Sequence, residues 1–456
     1  MTPPTLAPTP SRDDSIVRQA SQVAGGPLGR FAVPLVRGWR WYAAALAAAS
    51  AVPSVASVLL RGYCIEGGWR SPDQFFHMCF SDLAATFGSQ QLGWGLGAFL
   101  AGRAEAPTPA HPPLTSMLLA ATGGLVPDGS MESRTRFFVV VWAVLGALLL
   151  ALLTGWTAAS SRRMPLRAAH VALSPVAALT LLVAPDILGV ALTGAALLAW
   201  SRSRPTATGV LLGLAVSARS YPLLVLVVLW ALAVRAGRPR AVLPVLAWTL
   251  GVAGVVFGIV WLRNPTGAMA GYDSWLGAGA GYGSPWVAPQ LVGSAIPSVV
   301  VSMLAIAGWG VAVVVATLVA LSGPRRPGVA EVLLVAVAII LVTGKSFPVQ
   351  SSLWLVPLVA LAGLRWRDHL LWAAAETLYF GAVWLTIAGL SVPDRGLPTG
   401  WYLLFLLLRL LGVGWLAWRV TRQARERVPF EVDPAEPDPL AGPLAGLRDR
   451  VVVEVR

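Results

Sequence analysis

The sequence predicts an all-α polytopic membrane protein with about twelve membrane spans. Three observations carry this. Charged residues make up only 12% of the chain, half of the roughly 25% found in soluble domains, which excludes an ordinary soluble enzyme. Hydrophobic residues make up 56% and the mean hydropathy is +0.70, so apolar surface exceeds what a water-facing fold can hide. Apolar stretches long enough to cross a bilayer recur from one end of the 456 residues to the other. The net charge of +13 rests almost wholly on arginine, with Lys345 as the only lysine. Enrichment in Ala, Gly, Pro and Arg follows GC-rich codon usage, so the basic excess does not imply a nucleic-acid partner. Its meaning lies in where the cations fall.

In chain order, spans are expected near 41–60, 136–158, 168–184, 186–200, 206–218, 221–234, 241–262, 293–321, 329–344, 351–364, 370–390 and 400–419. Hydropathy alone would merge 168–200 into one element. The charges separate it. Arg162, Arg163 and Arg167 precede this stretch and Arg202 and Arg204 follow it, and both clusters favour the cytoplasm, so an even number of spans lies between them. A single helix of that length would also overshoot a hydrocarbon core of about 30 Å. Arg235, Arg238 and Arg240 repeat the argument for 206–234, which turns at Arg219–Pro222. Pro185 and Pro222 sit where each hairpin breaks.

Sorting the cations by side gives twenty-four on the face that holds both termini, nine on the opposite face, and Arg409 inside the last span. The excess comes from many short loops, where positive charge best reports the cytoplasmic side. Both termini are therefore expected inside, in a plasma (inner) membrane. The organisation is a disordered cytoplasmic tail over 1–38, a transmembrane domain over 39–420 with a long first outer loop at 61–135, and a cytoplasmic tail over 421–456. The N-terminal tail shows no signal-peptide cleavage pattern. The C-terminal tail carries a Pro/Asp/Glu run at 431–443 and is expected to be flexible.

With that topology the informative polar residues collect on the outer face. In the first outer loop, Ser81 and Asp82 open a stretch with Leu83, Phe87 and Leu92 that suits an interfacial helix. A carboxylate at the membrane edge among apolar neighbours gains proton affinity and suits a general base for a hydroxyl acceptor. The bland reading of Asp82 is an N-cap, and the two roles are compatible. Asp73 reads as part of a Ser-Pro-Asp turn. The only two cysteines, Cys64 and Cys79, lie in this loop. Either they form a disulfide, which in the chain-entropy model adds about 3 kcal/mol, or they are two unrelated buried thiols.

Asp186 stands at the tip of the third and fourth spans, Arg219 at the next tip, and Lys345 at the end of the ninth. Ionisable groups at a membrane edge are functional candidates, and two cations beside a carboxylate suit an anionic headgroup. Their alternative role is snorkelling at helix ends. Residues 263–290 are rich in glycine and carry Tyr272, Trp275, Tyr282 and Trp286, aromatics that either stack on sugars or sit in a membrane belt. No spacing suggests a zinc site, and no phosphate-loop or dinucleotide glycine pattern occurs in a plausible context. An outer-face enzyme without nucleotide motifs calls for a lipid-linked donor. Glu376, inside the eleventh span, has no evident role.

The run Cys79-Phe80-Ser81-Asp82-Leu83 resembles the CYSD segment in the first outer loop of family-87 integral membrane glycosyltransferases, which have the GT-C fold. Residues 184–222, APDILGVALTGAALLAWSRSRPTATGVLLGLAVSARSYP, are similar to that family's WDLLA…LGL…AKxYP stretch. Lys345-Ser346-Phe347-Pro348-Val349-Gln350, continuing to Leu353-Trp354, resembles its Lys, Pro-Gln, Leu-Trp run, and Tyr282-Gly283-Ser284-Pro285-Trp286 its outer Gly-Ser-x-Trp motif. These blocks fall in family order from about 61 to 365.

The resemblance implies a GT-C bundle and an outer-face transferase that uses a polyprenyl-phosphate sugar, mannose first and arabinofuranose as the alternative, with an envelope glycolipid or polysaccharide as acceptor. It implies no organic cofactor and leaves a metal requirement open. By carry-over Asp82 is the base, Arg219 and Lys345 hold the donor phosphate, and Asp186, His111, Gln350, Tyr282 and Trp286 line the substrate site. Three positions depart from the pattern: Ala110-His111-Pro112-Pro113 replaces an acidic-Tyr-Pro segment, Pro185 replaces tryptophan, and the proline after Lys345 is shifted by one. They bear on the sugar and acceptor more than on the fold. A lipid or polysaccharide transporter or flippase is the competing class. It would place polar groups at the midplane on broken helices and show internal repeats, whereas here the polar candidates lie at loop ends.

Overall fold

The computed structural model describes residues 38–89, 92–102, 109–425 and 438–453. Its regular structure is helical, apart from an isolated parallel bridge between Ser322 and Val453. The principal helices are α1 (Trp39–Leu59), α2 (Asp82–Ser89), α3 (Pro113–Gly123), α4 (Met131–Ser160), α5 (Asp186–Ser201), α6 (Pro205–Ala218) and α7 (Leu223–Arg235). They continue with α8 (Leu243–Arg263), α9 (Pro265–Gly277), α10 (Ser298–Leu321), α11 (Val329–Thr343), α12 (Trp366–Gly389) and α13 (Thr399–Arg425).

Among the described residues, six helices are long and apolar enough to cross a membrane: α1, α4, α8 with the turn before it, α10, α12 and α13. Their exposed faces are apolar, as in Leu250, Val255 and Ile259 of α8 and Met303, Ile306 and Val314 of α10. Surfaces of that kind need a hydrocarbon solvent, and the chain is a multi-pass membrane protein. Helices α5, α6, α7 and α11 hold only 13 to 16 residues, roughly 20–24 Å of rise. They pack among other helices, which relieves them of matching the bilayer alone. Residues 329–338 of α11 are buried on every side, as expected of a helix that is apolar all round.

Of the two arginine-delimited hairpins, the one over 206–234 is present as α6 and α7, while the one over 168–200 keeps only its second arm, α5, as a continuous helix. Helix α5 runs from Asp186 to Ser201, the chain turns through Ser203 at φ +55°, and α6 returns to Ala218, where Arg219 is extended and ends the helix. The expected span 168–184 is not one helix. Ser174 and Pro175 break it into Ala169–Ala172 and Pro175–Thr180, with a turn before Asp186. The segment expected at 351–364 is likewise a 3-10 turn over Val349–Trp354 followed by Val356–Leu361. In both places proline removes the N–H that would continue the ladder, and the freed chain forms the floor of the site described below.

Basic loops that are distant in sequence gather at one end of the bundle. One cavity there, about 440 Å³, is lined by Arg167, Arg325, Arg326, Gln423 and Arg448, and a second, about 310 Å³, by Arg162, Arg163 and Arg202. The C-terminal stretch, expected to be flexible, differs over 438–453. Leu440 and Leu444 are buried, and Asp449 accepts from Arg235 at 2.8 Å and from Arg326 at 2.7 Å. Its composition suggested a solvated tail, but two leucines and one carboxylate suffice to dock it on the buried guanidinium of Arg235. The expected disordered N-terminal tail, apart from Gly38, and most of the 431–443 run lie outside the described residues.

Candidate active site

At the end of the bundle opposite the basic loops, four segments remote in sequence converge. The first is the start of α2. Ser81 Oγ donates to Leu182 O at 2.6 Å and Asp82 N donates to Val183 O at 2.7 Å, which ties the helix start to the turn that precedes Asp186. Leu83, Ala84 and Phe87 are buried, and Phe87 stacks on Phe138 of α4 at 4.7 Å. The segment before it is pinned by the Cys64–Cys79 disulfide, whose Cα atoms lie 5.8 Å apart. Fixed from both sides, Asp82 presents its carboxylate to the second segment, where Gln350 Nε2 donates to Asp82 Oδ2 at 3.2 Å.

The third and fourth segments are the tips of the two hairpins. Arg219 Nη2 donates to Asp186 Oδ2 at 2.6 Å, and Trp354 Nε1 donates to Asp186 Oδ1 at 2.8 Å. Arg219 can approach because residue 189, one turn after Asp186, is glycine: a Cβ there would meet the Arg219 side chain at 2.9 Å. Tyr221 stacks on Trp354 with ring centroids 4.5 Å apart, closing the apolar side of the pair. His111 approaches from the loop before α3, with Nδ1 3.4 Å from Arg219 Nη1. The remaining faces of Nη1 are lightly engaged, with only a 3.3 Å contact to Ala218 O.

These surroundings set the protonation states. Burial raises the Asp82 carboxyl, the nearby Asp186 charge raises it further, and Arg219 and the Gln350 hydrogen bond pull it partway back, leaving it at about 7. Burial, and then the Arg219 charge, lowers His111 to about 3, so its imidazole is neutral near pH 7. The arrangement thus offers a carboxylate that takes a proton near neutrality, beside a guanidinium whose side chain is 12% exposed and a neutral imidazole.

Five of the residues singled out from sequence therefore meet: Asp82, Asp186, Arg219, His111 and Gln350. Three do not join them directly. Lys345 is 3% exposed, and its Nζ donates to Trp275 O, Leu276 O and Ala278 O at 2.7, 3.1 and 2.8 Å, lying 4.5 Å from the Trp275 ring centroid. An ammonium has three donors, and here all three cap the C-terminal end of α9, which leaves none for a phosphate. Tyr282 and Trp286 lie on a segment that pairs with 343–347: Gly281 N donates to Lys345 O, Phe347 N to Tyr282 O, and Trp286 Nε1 to Thr343 O. They brace the loop that leads to Gln350.

Trp354 and Tyr221, which lie inside two of these motifs, join the group as well, Trp354 through Asp186 and Tyr221 through the Trp354 ring. Among the described residues no group of three or more His, Cys, Asp or Glu is arranged to hold a metal ion. His170 and His369 meet with their Nδ1 atoms 3.2 Å apart but lie at the basic end.

No family model matches the chain, and no curated protein matches it. Among solved structures, the apo state of ArnT from Cupriavidus metallidurans is similar at a TM-score of 0.34 and 15% identity, covering 75% of this chain and 73% of that one.

Proposed function

We propose that the protein is a membrane glycosyltransferase that moves a monosaccharide from a polyprenyl-phosphate carrier to a hydroxyl of an envelope glycolipid or polysaccharide, on the outer face of the membrane. The observation that carries this reading is the meeting of Asp82 with the Arg219–Asp186 pair at one end of the bundle. A group that accepts a proton near pH 7 stands beside a cation able to receive phosphate. The order of motifs supports a polyprenyl-phosphate sugar as donor, with mannose the first candidate and arabinofuranose the second. The gathering of the basic loops at the other end supports a cytoplasmic assignment for that end and for both termini.

In this reading the acceptor hydroxyl gives its proton to the Asp82 carboxylate as its oxygen bonds to the anomeric carbon. The bond from that carbon to the phosphate oxygen breaks, and its electron pair leaves with the polyprenyl phosphate. Charge grows on the phosphate, and the Arg219 guanidinium stabilises it. Asp186 and Trp354 hold that guanidinium in place, while neutral His111 accepts from it at Nδ1 and offers Nε2–H to a substrate oxygen. Lys345 contributes by fixing the end of α9.

The test is transfer by purified protein in lipid bilayers from radiolabelled polyprenyl-phosphate mannose and, separately, polyprenyl-phosphate arabinofuranose, with host lipid extract as acceptor. Label entering a new glycolipid establishes class and sugar together. No transfer from either donor by folded protein would overturn the reading in favour of a transporter or an inactive scaffold.

A further inference from the structure

One heavily engaged side chain stands outside the group that meets at Asp82 and Asp186. Arg409, in the middle of α13, is 0% exposed. Its Nε donates to Glu376 Oε2 at 2.8 Å, Nη1 donates to Phe347 O, and Nη2 donates to Pro348 O at 3.2 Å and to Ser352 Oγ at 2.9 Å. The guanidinium lies over the rings of Phe347 and Tyr379, 3.5 and 4.3 Å from their centroids. Glu376 is 3% exposed, and its other oxygen accepts from Trp372 Nε1 at 3.1 Å. An ion pair buried between two membrane-spanning helices is a poor way to gain stability, because both charges lose their hydration.

What the pair holds explains its presence. Every acceptor of Arg409 other than Glu376 lies within 347–352, the irregular stretch between α11 and the helix at 356–361. Carbonyls there have left one helix and not entered the next, so buried donors must come from elsewhere. Gln350, which donates to Asp82, sits between the anchored residues Pro348 and Ser352, and Trp354, which donates to Asp186, follows two residues after Ser352. Both carboxylates of the site are thus held from one short segment, and that segment is clamped from behind. A second brace acts on it: Gly283, at φ +83°, lies against Phe347 O and the Arg409 guanidinium, and its N–H donates to Tyr402 Oη at 3.0 Å.

We infer that Arg409, locked by Glu376, is a positioning residue of the active site, setting residues 347–352 so that Gln350 reaches Asp82 and Trp354 reaches Asp186. The inference rests on the proposed role of Asp82 as the base. A side chain with a merely structural role would change stability and leave the kinetics of the surviving folded protein intact. A positioning role makes different demands. Arg409→Lys keeps a charge beside Glu376 but cannot fill the three other acceptors, so kcat falls roughly ten- to a hundredfold while donor KM stays within about threefold. The acidic limb of the pH profile moves to higher pH, as it does in Gln350→Leu, because the carboxylate of Asp82 loses its donor. The double variant Arg409→Lys/Gln350→Leu is no worse than the more impaired single variant.

Ser352→Ala removes one contact of the same clamp and guards against a misfolded Arg409 variant. It lowers kcat a fewfold with the same direction of pH shift. Hydrogen exchange supplies a readout independent of turnover: amides of 349–354 exchange faster in both variants, and those of 332–341 do not change. Wild-type kcat and pH profile in folded Arg409→Lys and Ser352→Ala, or fully additive losses with Gln350→Leu, would overturn the inference. Asp82→Asn in the same preparations separates the two possible failures. Full activity in Asp82→Asn sinks the base assignment itself, whereas its inactivity beside wild-type kinetics in the clamp variants sinks positioning alone.

Discussion

Turnover is predicted to fall as pH drops through about 7, and substitutions around Asp82 are predicted to move that limb in opposite directions. A general base works as the carboxylate, so at pH 6 only about one-tenth of the enzyme is competent and at pH 8 about nine-tenths. Below the limb, kcat/KM falls about tenfold per pH unit. Gln350→Leu removes the 3.2 Å hydrogen bond that favours the ionised form. A hydrogen bond to a charged group is worth about 1.5–3 kcal/mol, so the limb moves up by about one unit. Asp186→Asn removes the charge that raises Asp82 and frees Arg219 to act on it, so the limb moves down by about one unit. The assay is the initial rate of label transfer from pH 5 to 9 at constant ionic strength. A limb near 4, or the two variants moving the same way, would rule out Asp82 as the titrating base, because loss of activity by misfolding shifts no limb in a chosen direction. Stability follows with the opposite sense. A carboxyl raised on folding contributes stability that is complete below its unfolded value, near 3.8, and is lost as pH rises through about 7. Asp82→Asn therefore loses less thermal stability than wild type between pH 5 and 8.

Four further outcomes are expected. Arg219→Gln leaves the buried Asp186 charge unpaired, costing about 3–5 kcal/mol, and raises donor KM at least about tenfold; adding Asp186→Asn restores thermal stability but not donor affinity. Lys345→Met lowers stability by about 1–3 kcal/mol through three orphaned carbonyls and leaves donor KM within about threefold, a contrast with Arg219 measurable by melting curves and polyprenyl-phosphate titration. Gly283→Ala forces a side chain into the left-handed region against Phe347 O and the Arg409 guanidinium, and melts at lower temperature than wild type with reduced kcat. Cys64→Ser/Cys79→Ser lowers stability by about 2–4 kcal/mol and reduces activity by loosening the segment before Asp82, read by melting and transfer assays with and without reductant.

How far the sequence reveals this arrangement depends on whether the signal is local. The α6–α7 hairpin is legible because arginine clusters flank it and Arg219 and Pro222 mark its reversal within a few residues. Asp82 is legible as a carboxylate opening an amphipathic run. The breaks at Ser174 and Pro175 and at 349–354 are harder to see, since hydropathy stays high through a proline-broken helix and its average hides the interruption. Pairing between spans was not legible. Glu376 and Arg409 lie 33 residues apart, and only the facing of α12 and α13 brings them together. The available signal was two opposite charges in consecutive apolar spans, which seldom remain unpaired. For Lys345, position in a motif pointed to phosphate, but three carbonyls at the end of α9 take its donors. For the C-terminal stretch, Pro and Asp/Glu content outweighed Leu440, Leu444 and Asp449, whose partners are on other elements.

Asp82 is proposed as the base of a lipid-donor sugar transfer. Its most direct test is a side-by-side comparison of wild type and Asp82→Asn, in bilayers, with labelled polyprenyl-phosphate mannose or arabinofuranose and with donor binding measured in the same samples. Wild type is expected to transfer label, the variant to lose at least about a thousandfold, and donor affinity to stay within about threefold between them. Undiminished transfer by Asp82→Asn would contradict that role.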